Sequence, residues 1–248
     1  MISSDLGFYL AAVPAVLLTG IGKSGFGGVA LMAVPLLSLV MSPIEAAALM
    51  LPLLLMMDVF GVYAWRGQGS WAHIKVLVPG AAFGVLIGML TAQFVNPDMV
   101  KLIVGIIAVG FCLYQWLPKP QKGSAMGQPN WLTGSVAGAA SGYTSYIAHA
   151  GSPPYHMYLI PKGLDPRAFA ATGAWYFFIV NGLKLPAYIA VGQFSLEVFM
   201  QALVMLPLVP IGVYAGVWLN KRVSHDLFYK FIYGFVFLIG FKLIYDSL

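Results

Sequence analysis

The chain has 248 residues, 60% hydrophobic and only 8% charged, where a soluble domain carries roughly 25% charged residues; this excludes a soluble enzyme and places nearly the whole chain in a lipid bilayer. A net charge of +5 asks for no nucleic acid, because membrane proteins gather Lys and Arg on their cytoplasmic loops. The single cysteine, Cys112, excludes an internal disulfide and a cysteine-cluster metal site.

In chain order, the start MISSDLGFYL carries an acid and no base before its apolar run, so the first segment reads as retained rather than as a cleaved signal peptide. Apolar stretches follow at 7–21, 27–41, 44–65, 73–94, 98–117, 131–148, 153–161, 168–191, 195–219 and 226–245. A helical span takes about 20 residues. The stretches 44–65, 73–94, 98–117, 168–191, 195–219 and 226–245 meet that length. The pairs 7–21/27–41 and 131–148/153–161 are instead two shorter pieces around a Gly-rich break. Each pair is either one broken crossing or a hairpin that enters and leaves on the same side.

Charge separates these alternatives. Single crossings divide the loop bases six against five. Hairpins place Lys101 and Lys242 on one side and nine bases on the other: Arg66, Lys75, Lys119, Lys122, Lys162, Arg167, Lys221, Arg222 and Lys230. The positive-inside rule favours the strong asymmetry. The expectation is therefore two hairpins, both termini outside, and the nine bases in the cytoplasm. Lys23 and Lys184 are left inside the membrane.

The halves echo each other. Gly28 matches Gly151, Pro43 matches Pro166 and Asp58 matches Asn181 at a shift of 123; Gly84, Gly88 and Asp98 match Gly212, Gly216 and Asp226 at a shift of 128. The fold class expected is an all-α polytopic membrane protein of two inverted repeats. Residues 1–122 form the first (hairpin 7–41, spans 44–65, 73–94 and 98–117). A cytoplasmic linker covers 123–130. Residues 131–248 form the second (hairpin 131–161, spans 168–191, 195–219 and 226–245). Inverted repeats with broken helices at matching positions are a transporter signature. The pairs Gly84/Gly88 and Gly212/Gly216 read as close helix packing.

The stretch LTGIGKSGFGGVA contains Gly22-Lys23-Ser24, yet a phosphate loop needs a glycine where Leu17 stands, and it needs a preceding strand. Together GIGKSGFGG, AHAGSPPYHMYLIP and NGLKLPAY resemble the sulfite exporter TauE/SafE family of membrane permeases over nearly the whole chain. The resemblance implies transport of a small sulfur-containing anion or organosulfonate, such as sulfite, sulfoacetate or thiosulfate, across a bacterial cytoplasmic membrane.

The residues at the breaks suit an anion. Gly25, Gly27 and Gly28 expose backbone N–H groups at the start of the helix expected over 27–41, and a helix N-terminus attracts negative charge. Lys23 adds a full charge and Ser24 a hydroxyl. At the second break Ser152 reads as an N-cap with Pro153 in the first turn, preceded by His149 and Gly151. Lys184 is read as a second attraction for the anion, with Asn181 on the same helix. Asp58 is a candidate proton carrier, against the structural alternative of a hydrogen bond to Asn181. Tyr143, Tyr146 and Tyr155 flank the second break as candidate hydroxyl contacts, while most aromatic residues, Tyr176 and Tyr188 among them, read as packing or interface residues. A proton or sodium ion is the candidate coupling ion, and apolar faces leave a homodimer open. No cofactor or metal is expected, since His73, His149, His156 and His225 lie apart.

Two other classes remain to be weighed. Gly22-Lys23-Ser24-Gly25 has the form of a rhomboid-like intramembrane serine protease, with His149 as base; a non-transporting membrane assembly factor is the second.

Overall fold

The computed structural model describes residues 6–23, 29–92, 94, 96–117, 127–220, 222 and 225–248. Among these there is no strand. The helices are α1 (Leu6–Lys23), α2 (Ala33–Leu37), α3 (Pro43–Ala64), α4 (Trp71–Ala92), α5 (Pro97–Trp116), α6 (Trp131–Ala148), α7 (Ser152–Leu159), α8 (Pro166–Ala190), α9 (Leu196–Met205), α10 (Leu208–Asn220) and α11 (His225–Tyr245). Polar caps fix several starts. Side chains of Asn96, Asn130 and Ser195 accept from the N–H of Met99, Thr133 and Val198, and Asp165 accepts from Arg167 and Ala168.

Leu6–Lys23, Pro43–Ala64 and Trp71–Thr91 are long and apolar enough to cross a membrane, and the pair Leu196–Met205 and Leu208–Leu219 joins them if counted as one span. That pair corrects the continuous helix expected over 195–219. It bends by 44° at a break beside Pro207, whose ring removes a backbone donor and clashes with the preceding turn. The helix expected over 27–41 is also corrected. It is a 3-10 turn, Val29–Met32, followed by the five residues of α2. Pro35 cannot donate the bond that would fuse the two.

The chain folds as two compact units. The first comprises Met1–Met57, Phe94–Leu117 and Gly192–Leu248; the second comprises Asp58–Gln93 and Pro118–Val191. Each draws on both halves of the sequence. In the first unit α1 packs on α10, α5 packs on α11, and the 29–37 segment doubles back along α1. Small residues allow these approaches. A Cβ on Gly20 would lie 2.8 Å from the backbone of Gly212, and one on Gly105 2.7 Å from the carbonyl oxygen of Gly240. A Cβ on Gly22 would lie 2.7 Å from the nitrogen of Ala30, where the returning chain passes.

In the second unit α4 lies along α6. Gly80 and Gly84 face the carbonyls of Ser135 and Ala139, while Gly138 and Gly142 face those of Leu77 and Ala81. Any added Cβ would collide with these backbone oxygens. α7 runs back along α6, and the two ends of this hairpin meet. The Gly127 N–H donates to Lys162 O at 2.9 Å, and Lys162 Nζ donates to Gln128 O at 2.9 Å. Beside them the Tyr158 hydroxyl is 3.0 Å from His73 Nδ1 on α4 and accepts from the Asn130 N–H at 3.4 Å.

Candidate functional site

The hairpin of the second unit turns at His149. This residue ends α6 in the left-handed region (φ 51°, ψ 25°), a place usually taken by glycine. Its N–H donates to Ser145 O at 3.0 Å and that of Ala150 to Thr144 O at 3.1 Å. The chain then drops onto α6. Ser141 Oγ donates to Gly151 O at 2.7 Å. A Cβ on Gly151 would lie 2.9 Å from Ser141 O and Oγ and 3.0 Å from Ser145 Cβ, so this approach demands glycine.

Ser152 is the first residue of α7 and Gly151 holds the cap position, with no side-chain capping bond. This corrects the expectation of Ser152 as the N-cap. Pro153 and Pro154 also lack N–H groups, so the first turn of α7 offers fewer backbone donors than an ordinary helix start. Charge at this turn comes from a side chain instead. Lys184, fully buried on α8, donates to Ser145 O (3.1 Å) and Ser145 Oγ (3.0 Å) and approaches His149 Nδ1 at 2.5 Å. An ammonium can only donate. With Lys184 as the ammonium, His149 Nδ1 is the acceptor of this contact.

Asp58 and Asn181 are brought together as sequence mates. Both are buried, and Asn181 Nδ2 donates to Asp58 Oδ2 at 2.5 Å. This is the structural alternative weighed for Asp58. The candidate tyrosines divide. The backbone carbonyl of Tyr146 accepts from the Tyr188 hydroxyl at 2.5 Å, with the rings edge-to-face at 4.8 Å. Tyr143 is half-buried beside Gly84. Tyr155 is buried and stacks on Tyr176, ring centroids 5.0 Å apart and planes 16° from parallel.

Sequence reading passed over Ser141 and Ser145 and read Tyr176 as a packing residue. The two serines and His149 are spaced by four, hence on one face of α6, and that spacing was the available signal. Lys23, half-buried in the last turn of α1, lies in the first unit, where the helix dipole favours a cation. Ser24, Gly25, Gly27 and Gly28 lie outside the described residues. No group of His, Cys, Asp or Glu suited to a metal is found among the described residues.

Helices long and apolar enough to cross a membrane mark an integral membrane protein. The sequence model of the family Sulfite exporter TauE/SafE matches residues 12–243, and the chain belongs to that family. The family is one of membrane permeases that export sulfite or related sulfur anions. Neither curated proteins nor solved structures give a match.

Proposed function

We propose that this protein moves a small sulfur oxyanion or organosulfonate, of the sulfite, sulfoacetate and thiosulfate class, by alternating access. The anion binds at the hairpin turn of the second unit. The observation that carries this reading is Lys184: a cation wholly buried in a span costs about 3 kcal/mol or more, so its presence marks a partner or a pathway. In a transporter of anions that cation attracts the substrate. His149 and the Gly151–Ser152 backbone supply further donors, with Asn181 on the same helix as Lys184.

Lys23, with Ser24, Gly25, Gly27 and Gly28, is proposed as the corresponding anion-attracting group of the first half. The packing within each unit supports the inverted repeat. The hairpin arm of one half pairs with the middle span of the other, α1 with α10 and α6 with α4, and the last spans α5 and α11 pair with each other. The Asp58–Asn181 bond joins repeat mates. Asp58 is proposed as the carrier of a coupling proton.

The test is anion flux into liposomes holding the purified protein, with sulfite, sulfoacetate, thiosulfate, sulfate and chloride in parallel, beside Lys184→Met. Selective flux of a sulfur anion, lost in the variant, is expected. Absence of flux for every sulfur anion overturns the reading.

A further inference from the structure

One pair of groups in the second unit is unexplained by packing or by the cation site. The hydroxyls of Tyr155 and Tyr176 are both buried, and neither has a hydrogen-bond partner among the described residues. A buried hydroxyl left unpaired is costly, and native structures keep few. Here two occur on rings that stack on each other, one from α7 and one from α8. Their positions are built. A Cβ on Gly173 would lie 3.2 Å from the Tyr155 hydroxyl, so the absence of a side chain there makes its room. Ser141 stands beside the Tyr176 hydroxyl but meets no hydrogen-bond criterion with it; its own proton goes to Gly151 O.

The hydroxyls and the cation are linked through α6. Ser141 and Ser145 are one turn apart on α6, about 6 Å along its axis. Tyr176 adjoins the first and Lys184 bonds the second, with Gly151 packed against both. We infer that Tyr155 and Tyr176 are specificity-determining donors of the anion site: their hydroxyls bind oxygens of a sulfite or sulfonate group whose charge Lys184 attracts. This rests on the functional reading above and deepens it. A sulfur oxyanion presents several oxygens and can accept from both hydroxyls while the charge of Lys184, whose three donors are taken by Ser145 and His149, attracts it through space. A halide offers one point of charge and gains little from donors on separate helices.

Chemistry separates this from a purely structural pair. Removing an unpaired buried hydroxyl should leave folding unchanged or improved, whereas removing a substrate donor weakens binding. The experiment is calorimetric titration of purified protein with sulfite, methanesulfonate and chloride, alongside melting temperatures, for the parent, Tyr155→Phe, Tyr176→Phe and Lys184→Met. Expected is a melting temperature for both Phe variants equal to or above the parent. Their affinity for sulfite and methanesulfonate should fall about 10-fold or more, the size of one hydrogen bond to a charged group, with chloride affected far less. If the Phe variants bind both anions like the parent while Lys184→Met does not, the hydroxyls lie outside the site and this inference alone fails. If the Phe variants melt lower and lose all anions alike, the hydroxyls are structural and the inference again fails. If the parent binds neither sulfur anion, the functional reading fails and takes this inference with it.

Discussion

The ammonium of Lys184 stands 2.5 Å from Nδ1 of His149, and among the described residues His149 is the only one besides glycine with a positive φ. A strained backbone and a buried cation thus meet at one contact. Strain of this kind persists where the surroundings over-determine it and is common at functional sites. The side chain that tolerates it is the one that orients the lysine.

That coincidence separates stability from function. A left-handed conformation costs a residue with a Cβ about 1–2 kcal/mol, and glycine avoids the cost. His149→Gly relieves that strain but withdraws an acceptor from the buried ammonium, so it is expected to melt above His149→Ala while sulfur-anion flux falls in both. His149→Ala loses the imidazole and keeps the strain. Thermal unfolding and flux on the same preparations check both.

Lys184→Arg is not expected to rescue Lys184→Met. The three acceptors, Ser145 O, Ser145 Oγ and His149 Nδ1, converge on a single nitrogen. A planar guanidinium spreads its donors over a fork and is bulkier. Both variants should lose flux by about 10-fold or more, measured as initial rates in liposomes. An arginine variant at parental rate would mean that charge alone suffices.

Helix packing makes a sharp pair of predictions. A methyl at Gly84 is directed at the carbonyl oxygen of Ala139, whereas Gly110 has nothing within 4 Å. Gly84→Ala should destabilise by about 1–3 kcal/mol through overpacking. Gly110→Ala should stabilise by roughly 0.5–1 kcal/mol through lower chain entropy. Melting curves in one detergent decide between them.

The Asn181–Asp58 bond is buried at both ends. Asn181→Leu withdraws this donor from the carboxylate and should cost about 1–3 kcal/mol. If Asp58 also carries the coupled proton, Asp58→Asn retains an acceptor for Asn181 yet abolishes the dependence of flux on a pH gradient. An unchanged dependence would restrict Asp58 to a structural part.

Legibility in the sequence followed the strength of the physical signal. Long apolar runs placed α3, α4, α5, α8 and α11 within a few residues, and of these α3 and α4 are long and apolar enough to cross a membrane. The break at Pro207 was missed because the run from 195 to 219 stays apolar through it. Charge inside an apolar run made Lys184 and Asp58 visible, and equal spacing from their neighbours tied Asp58 to Asn181. Ser141 and Ser145 were silent, since serine is common in such helices and its value here comes from the returning hairpin. Tyr176 was one aromatic among many; only its unpaired hydroxyl distinguishes it.

The meshed backbones of α4 and α6 have a mechanical consequence. Gly80, Gly84, Gly138 and Gly142 seat each helix against carbonyls of the other with no side chain to act as bearing. Axial slip between them is confined to whole-turn steps of about 5.4 Å, since any fraction drives carbonyls into Cα atoms. The hairpin and α4 are thus meshed into one body, with left-handed glycines at its margins, Gly67 before α4 and Gly163 after the hairpin.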